Sequence, residues 1–186
     1  MIFHSLAVLI ALPLHVDGCA SVPADSAQHA SSGACSFERD IGDRKIGPIR
    51  IGSSLDEIRA DYTVVPARLP YSDEMGYQVT VCDEETSLIV KFDESNSAVS
   101  ISTTSPSFQT DRGGKVGMSL EQLLTLHPDG IVSTGVEEGG WIAFRLDRIS
   151  GYFEFSLQDI AFSCLRDHRT CPSEFYERPA IRYWAR

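Results

Sequence analysis

Ile51-Gly52-Ser53-Ser54-Leu55-Asp56-Glu57-Ile58 and Val116-Gly117-Met118-Ser119-Leu120-Glu121-Gln122-Leu123 are the two stretches on which the reading of this chain turns. One offset of 65 residues (117 − 52) carries Gly52 onto Gly117, Ser54 onto Ser119, Leu55 onto Leu120, Ile58 onto Leu123 and Tyr62 onto His127. Self-similarity at a fixed spacing is the mark of an internal repeat. Each copy also reads as a helix start. Glycine supplies a turn that residues with a Cβ resist. Ser54 with Glu57, and Ser119 with Gln122, have the capping-box spacing, in which the serine takes an orphan amide and the third residue on reaches back. Leu55, Ile58 and Tyr62 then share a helix face, as do Leu120, Leu123, Leu124 and His127. Pro66 and Pro128 are expected to mark the helix ends.

Working outward, runs that suit strands follow each helix. In the first half they are 77–81, 87–92 and 98–102; in the second, 141–146, 152–156 and 180–184. Turn-rich segments such as Asp83-Glu84-Glu85 and Asp93-Glu94-Ser95-Asn96 separate them. Many alternate apolar and polar residues, which fits antiparallel sheet with one buried face. Ala161-Phe162-Ser163-Cys164 reads as a further short strand. The expected class is therefore α+β: two similar repeats, 35–110 and 111–186, each a short helix followed by an antiparallel meander, forming one sheet or two packed units. This pattern resembles a tandem copy of the β-lactamase-inhibitor-like fold. The related small outer-membrane lipoproteins of the SmpA/OmlA type carry a single copy. In those families a short Gly-x-(Ser/Thr) step leads into a helix, as at Gly52-Ser53-Ser54 and Gly117-Met118-Ser119. The motif is short, so it informs fold more than function.

The N-terminal residues point to export. Residues 6–12 are an uninterrupted apolar run, extended by Pro13-Leu14, too short for a membrane span and of the length of a signal-peptide core. Only His4 supplies any positive character upstream. Leu14-His15-Val16-Asp17-Gly18-Cys19-Ala20 resembles the bacterial lipobox, with Val16 and Gly18 fitting and Asp17 departing from it. The resemblance implies cleavage after residue 18, lipidation of Cys19 and attachment at the periplasmic face of the outer membrane. Cleavage after Ala24, giving a soluble periplasmic or secreted protein, is the alternative. Residues 20–34 are small and polar, and read as a tether with a root-mean-square reach of about 20 Å.

Five cysteines remain to be placed. With Cys19 lipidated, Cys35, Cys82, Cys164 and Cys171 form an even set, which an oxidising envelope favours as disulfides. Four cysteines allow three pairings. Cys35–Cys82 is favoured because it fastens the start of the domain to a strand, and Cys164–Cys171 because it closes a short loop of the kind found at a hairpin tip.

No catalytic constellation is visible. Of the five histidines, His4, His15 and His29 lie in the leader and tether. His127 falls on a helix face and His168 in the Cys164–Cys171 loop. There is no nucleophile elbow, P-loop or His-Glu-x-x-His. Ser150-Gly151-Tyr152 resembles a short motif of some periplasmic lysozyme inhibitors, but its surroundings do not match, and it reads as a turn entering a strand. The chain is thus expected to be no enzyme, with no cofactor and no metal site.

Charge says more. The 186 residues hold 26 acids and 16 bases, a net −10, without the basic stripe that nucleic acid requires. Residues 51–100 hold ten acids and three bases, a net −7; residues 101–186 hold eleven and nine, a net −2. Acids beside aromatics in the first half, namely Tyr71, Asp73, Glu74, Tyr77, Asp83, Glu84 and Glu85, suit a surface that meets a basic protein. The expected role is an envelope-anchored protein-binding module, an inhibitor or immunity factor against a cationic periplasmic hydrolase. The alternative is an accessory lipoprotein in outer-membrane assembly or envelope maintenance.

Overall fold

Both Gly-x-Ser steps start helices in the computed structural model, which describes residues 36–135, 140–158 and 160–186. The leader, the lipobox with Cys19, the tether and Cys35 lie outside the described residues. Gly52 (φ 95°) and Gly117 (φ 91°) take the left-handed turn. Helix α1 spans Leu55–Asp61 and α2 Leu120–Leu126. Ser54 Oγ accepts from the Glu57 amide at 3.2 Å while Glu57 Oε2 accepts from the Ser54 amide at 2.9 Å. Ser119 and Gln122 repeat this at 3.2 and 2.9 Å. Leu55 and Ile58 are buried on α1, Leu120 and Leu123 on α2. Each such side chain contributes about 1.5–3 kcal/mol by leaving water.

Strands β4 (Thr63–Arg68), β5 (Met75–Thr80), β6 (Ser87–Phe92) and β7 (Ala98–Thr103) follow α1. Strands β9 (Ile131–Gly135), β10 (Trp141–Arg145), β11 (Gly151–Phe155) and β12 (Ala180–Ala185) follow α2. They form one eight-stranded antiparallel sheet of order β4-β5-β6-β7-β12-β11-β10-β9, joined where β7 meets β12. Each glycine turn docks on the last strand of its own half. The Gly52 amide bonds the Ala98 carbonyl at 2.8 Å, and the Gly117 amide bonds that of Ala180 at 2.9 Å. A second sheet, which the sequence reading lacks, has order β3-β2-β1-β8. It is built from β1 (Asp40–Gly42), β2 (Lys45–Ile46), β3 (Ile49–Arg50) and β8 (Gln109–Thr110). These strands are too short for periodicity to show.

One core joins these elements. Val79, Leu88, Val90, Ile101, Phe144, Phe153 and Tyr183 on one face of the large sheet cluster with Ile58, Leu120 and Leu123 of the helices and with Ile41, Ile46 and Phe108 of the small-sheet region. Among the described residues no helix lies on the other face of the large sheet.

Several expectations need correcting. Helix α1 stops at Asp61, and Pro66 lies inside β4, the edge strand. That placement is physically sound, because proline at an edge removes an outward amide and discourages stray pairing. Strands β4 and β9 are additional to those read from the sequence. Residues 161–164 form no strand; Phe162–Arg166 is a helix, α3. The Cys164–Cys171 disulfide is present, with Cα atoms 4.5 Å apart. It ties α3 to the turn after it rather than closing a hairpin tip. Helix α3 and that turn, His168–Thr170, pack against β9 and cover the second sheet edge. Cys82 is disulfide-bonded as well; Cys35, its expected partner, is not among the described residues. A four-residue helix, α4 (Ser173–Tyr176), leads into β12.

Candidate functional site

Strand register settles which residues share the outer face of the large sheet, which the β4–β5 loop overlies in part. Ser102 pairs with Trp184, Trp184 with Tyr152, Tyr152 with Arg145, and Arg145 with Ile131. In the neighbouring row Arg182 pairs with Glu154 and Glu154 with Ala143. Directly paired residues on antiparallel strands point to the same side. The outer surface of β9 to β12 is therefore a field of aromatic and guanidinium groups.

Those groups are organised. Tyr152 and Trp184 stack with ring centroids 6.3 Å apart and planes inclined at 24°. The Arg186 guanidinium lies 5.5 Å from the Tyr152 centroid and 5.6 Å from that of Trp184. Arg182 sits between Trp184, at 5.6 Å, and Tyr71, at 5.2 Å. Trp184 Nε1 donates to Glu154 Oε2 at 2.7 Å, and the same oxygen lies 3.5 Å from Arg182 Nη1. Cation–π contacts of this kind are worth about 0.5–2 kcal/mol each. Arg182 Nη1 is buried without a hydrogen-bond partner.

Tyr71 reaches this field from the β4–β5 loop, which folds over the outer face. The Leu69 side chain covers Gly76 so closely that no Cβ could be added there. Glu74 pairs with Lys91, and Tyr71 adopts φ 58°. Burial, then the Glu154 carboxylate, holds the Tyr71 phenol above its usual range. Burial does the same for Tyr152. Ser102, on this face, is only 1% exposed, and among the described residues its hydroxyl and that of Ser100 have no hydrogen-bond partner. Trp141, 43% exposed, extends the aromatic surface along β10. Together these strands and the β10–β11 turn line an open cleft of about 1510 Å³.

The seven residues picked from the sequence as a partner surface are divided. Tyr71, Asp73 and Glu74 belong to the β4–β5 loop, and Asp73 is 3.3 Å from Arg68. Asp83, Glu84 and Glu85 lie at the opposite end of β5, where Asp83 caps the short turn Glu84–Thr86. A six-residue strand separates the two acidic groups, about 20 Å. Tyr77 pairs with Val90 and so faces inward, against Phe92 at 5.6 Å and under Arg59 of α1. Only Tyr71 joins the outer cluster. Trp141, Arg145, Tyr152, Glu154, Arg182, Trp184 and Arg186 escaped the sequence reading. The available signal was an aromatic on both faces of a strand, as at Tyr152-Phe153 and Tyr183-Trp184, where simple alternation calls for a polar outer residue.

His127, at the end of α2, is buried along with Leu120 and Leu123, whose helix face it was expected to share. Thr110 Oγ1 accepts from the Gly114 amide at 2.9 Å and shares a hydrogen bond with His127 Nε2 at 2.9 Å, its direction set by the imidazole tautomer. Burial, then Arg112, holds the imidazole below its ordinary value. Such a group, enclosed and hydrogen-bonded, serves the core.

No family model matches the chain, and no curated protein matches it. Among solved structures, the crystal structure of the uncharacterized protein yfeY from Escherichia coli is similar, with a TM-score of 0.53 and 12% identity. The match covers 80% of this chain and 99% of that one. At that identity the likeness is one of fold.

Proposed function

We propose that the chain is an envelope lipoprotein, held by Cys19, that captures another protein on the outer face of its large sheet. The carrying observation is the Tyr71–Arg182–Trp184–Tyr152–Arg186 cluster. Tryptophan, tyrosine and arginine are the residues that dominate binding energy at protein interfaces, and here they are concentrated on one face, with Tyr71 and Arg186 exposed and Tyr152 and Trp184 half-buried. Their contacts with each other hold the rings in place before any partner arrives, which lowers the entropy cost of association.

The body that presents this face is a tandem duplication. Its support is the shared capping box, the matching Gly52–Ala98 and Gly117–Ala180 backbone bonds, and a four-stranded meander after each helix. The partner is a basic protein, in keeping with a cationic hydrolase held in check. The net −7 of residues 51–100 draws it in at a distance, while the aromatic face anchors it. Steering and anchoring are separable tasks.

The test is capture from envelope extract by the wild-type chain and by Trp184→Ala. The expected result is a partner recovered by the first and lost with the second, with recovery falling as salt rises. Equal recovery by both would remove the outer face from the function. Mass spectrometry of the mature N-terminus checks the anchor, with an acylated Cys19 expected.

A further inference from the structure

Resting on that reading, we infer that the outer face is a carboxylate-binding site: Arg145 and Arg186, on either side of Tyr152 and Trp184, receive a short acidic segment of the partner. Four observations carry this. Arg145 is the direct cross-strand partner of Tyr152, and Arg186 lies over both stacked rings. Both arginines are exposed. Among the described residues neither meets a carboxylate. The one acid inside the cluster, Glu154, is already engaged by Trp184 Nε1 and Arg182, so it cannot neutralise them.

Immediately around Trp184 three arginines, Arg145, Arg182 and Arg186, stand against the one carboxylate of Glu154, while Asp43 and Asp147 line the rest of the cleft with Arg148; the chain as a whole carries −10. Arginine is suited to this work. Its planar fork accepts a carboxylate in two parallel hydrogen bonds, and stacking on an aromatic ring fixes the fork in advance. The rings beneath exclude water on one side, which strengthens the ion pair relative to one in bulk solvent. A basic segment would meet two guanidinium groups that pair with no acid among the described residues, and be repelled. A neutral sugar needs an open aromatic face, and Arg182 and Arg186 occupy those of Trp184 and Tyr152. An acidic segment matches what the surface lacks. This does not conflict with a partner that is basic overall, since the contact is local and the steering is not.

Calorimetric titration of the full chain with a blocked glutamate-rich peptide, a lysine-rich one of the same length and a neutral oligosaccharide tests the assignment. The glutamate peptide alone is expected to bind. Affinity should fall about tenfold or more in Arg145→Gln/Arg186→Gln, and be partly kept in Arg145→Lys/Arg186→Lys. Both arginines are exposed, so far-UV circular dichroism of the variants should match wild type. Binding of the lysine peptide or the oligosaccharide instead, or glutamate binding indifferent to the double glutamine variant, would overturn the inference. If extract capture depends on Trp184 while the glutamate peptide does not bind, the inference falls and the protein-capture reading stands. If the peptide binds in an arginine-dependent way but no protein is captured, the carboxylate site stands and that reading falls.

Discussion

The two halves of the large sheet share a connectivity and differ in what they show to solvent. On β5 to β7 the outer positions hold Gln78, Thr80, Ser87, Ile89, Lys91, Ser100 and Ser102; on β10 to β12 they hold Trp141, Ala143, Arg145, Tyr152, Glu154, Arg182 and Trp184. The inner faces differ too. The first half fills its side of the core with Val79, Leu88, Val90 and Ile101, and the second with Phe144, Phe153, Phe155 and Tyr183. One arrangement of strands can thus serve as plain scaffold in one half and as a recognition surface in the other, because the buried and exposed faces of a strand are chosen independently.

Removing inner aromatics should therefore cost more than removing inner aliphatics. Phe153 is fully buried and packs edge-on to Tyr183 with centroids 4.9 Å apart. Phe153→Ala is expected to lose about 3–5 kcal/mol, and Leu88→Ala in the first half somewhat less. Urea denaturation of both variants measures the difference. A larger loss from Leu88→Ala would reverse the asymmetry.

The next effect concerns how each half protects its outer edge. The edge strand β4 relies on Pro66; β9 relies on α3 and the turn pinned by Cys164–Cys171, a separation of seven residues. The Cys164→Ser/Cys171→Ser variant should lose about 2–3 kcal/mol from chain entropy. Hydrogen exchange should quicken in β9 and leave β4 unchanged. Unaltered exchange in β9 would mean that α3 holds its place without the crosslink.

Position 62 and position 127, 65 residues apart, contrast a half-buried phenol with a fully enclosed imidazole. Thr110→Val leaves the Gly114 amide and His127 Nε2 unsatisfied and is expected to cost about 1–3 kcal/mol. His127 also makes stability depend on pH. Because its folded pKa is lowered, the unfolded chain binds the proton more readily. Stability is full above the ordinary imidazole value of about 6.5 and falls as pH drops through it, levelling off once the folded state also takes the proton. His127→Gln should flatten that part of the stability profile. A profile unchanged by the substitution would take His127 out of the pH response.

The capping boxes are where the halves agree most closely, so Ser54→Ala and Ser119→Ala should each cost about 1 kcal/mol. Clearly unequal losses, read from thermal denaturation, would show that one helix is held by packing alone.

The helix starts were legible because a cap is a local device: glycine, serine and glutamate act within four positions, and Gly52-Ser53-Ser54 displays all the chemistry needed. Six of the eight strands of the large sheet were legible for a similar reason, since alternation and turn residues sit within one window. Strands β4 and β9 were not. Pro66 in β4 argues for a helix stop, and its edge position appears only once β5 is beside it. The small sheet escaped because two- and three-residue strands have no periodicity; Ile41 and Ile46 are paired by geometry rather than pattern. Residues 161–164 misled because a short apolar run suits a strand or a buried helix turn equally. The candidate site was least legible. Its acids were sought in turns, where charge density is highest, yet Asp73 and Glu84 end up at opposite ends of β5. The aromatic face brings together residues from Trp141 to Arg186, and Tyr71 from the other half. Only strand register makes them neighbours.

The smallest expected effect on stability is also the sharpest test of the contrast between the halves. Arg145 and Arg186 are exposed, and among the described residues neither has an acidic partner, so replacing either with glutamine removes little that the fold uses. The expected change is within about 0.5 kcal/mol for Arg145→Gln and for Lys91→Gln on the outer face of the first half, and about 1 kcal/mol for Arg186→Gln, which gives up its contacts with both rings. Lys91 pairs with Glu74 on the surface, a contact of small worth. Stability thus predicts that all three variants stay close to wild type. Binding predicts that they are not: the two arginine variants should lose affinity for an acidic peptide, and Lys91→Gln should keep it. If all three bind alike, Arg186 over Tyr152 and Trp184 and its neighbour Arg145 are surface decoration, and the two outer faces differ in composition without differing in purpose.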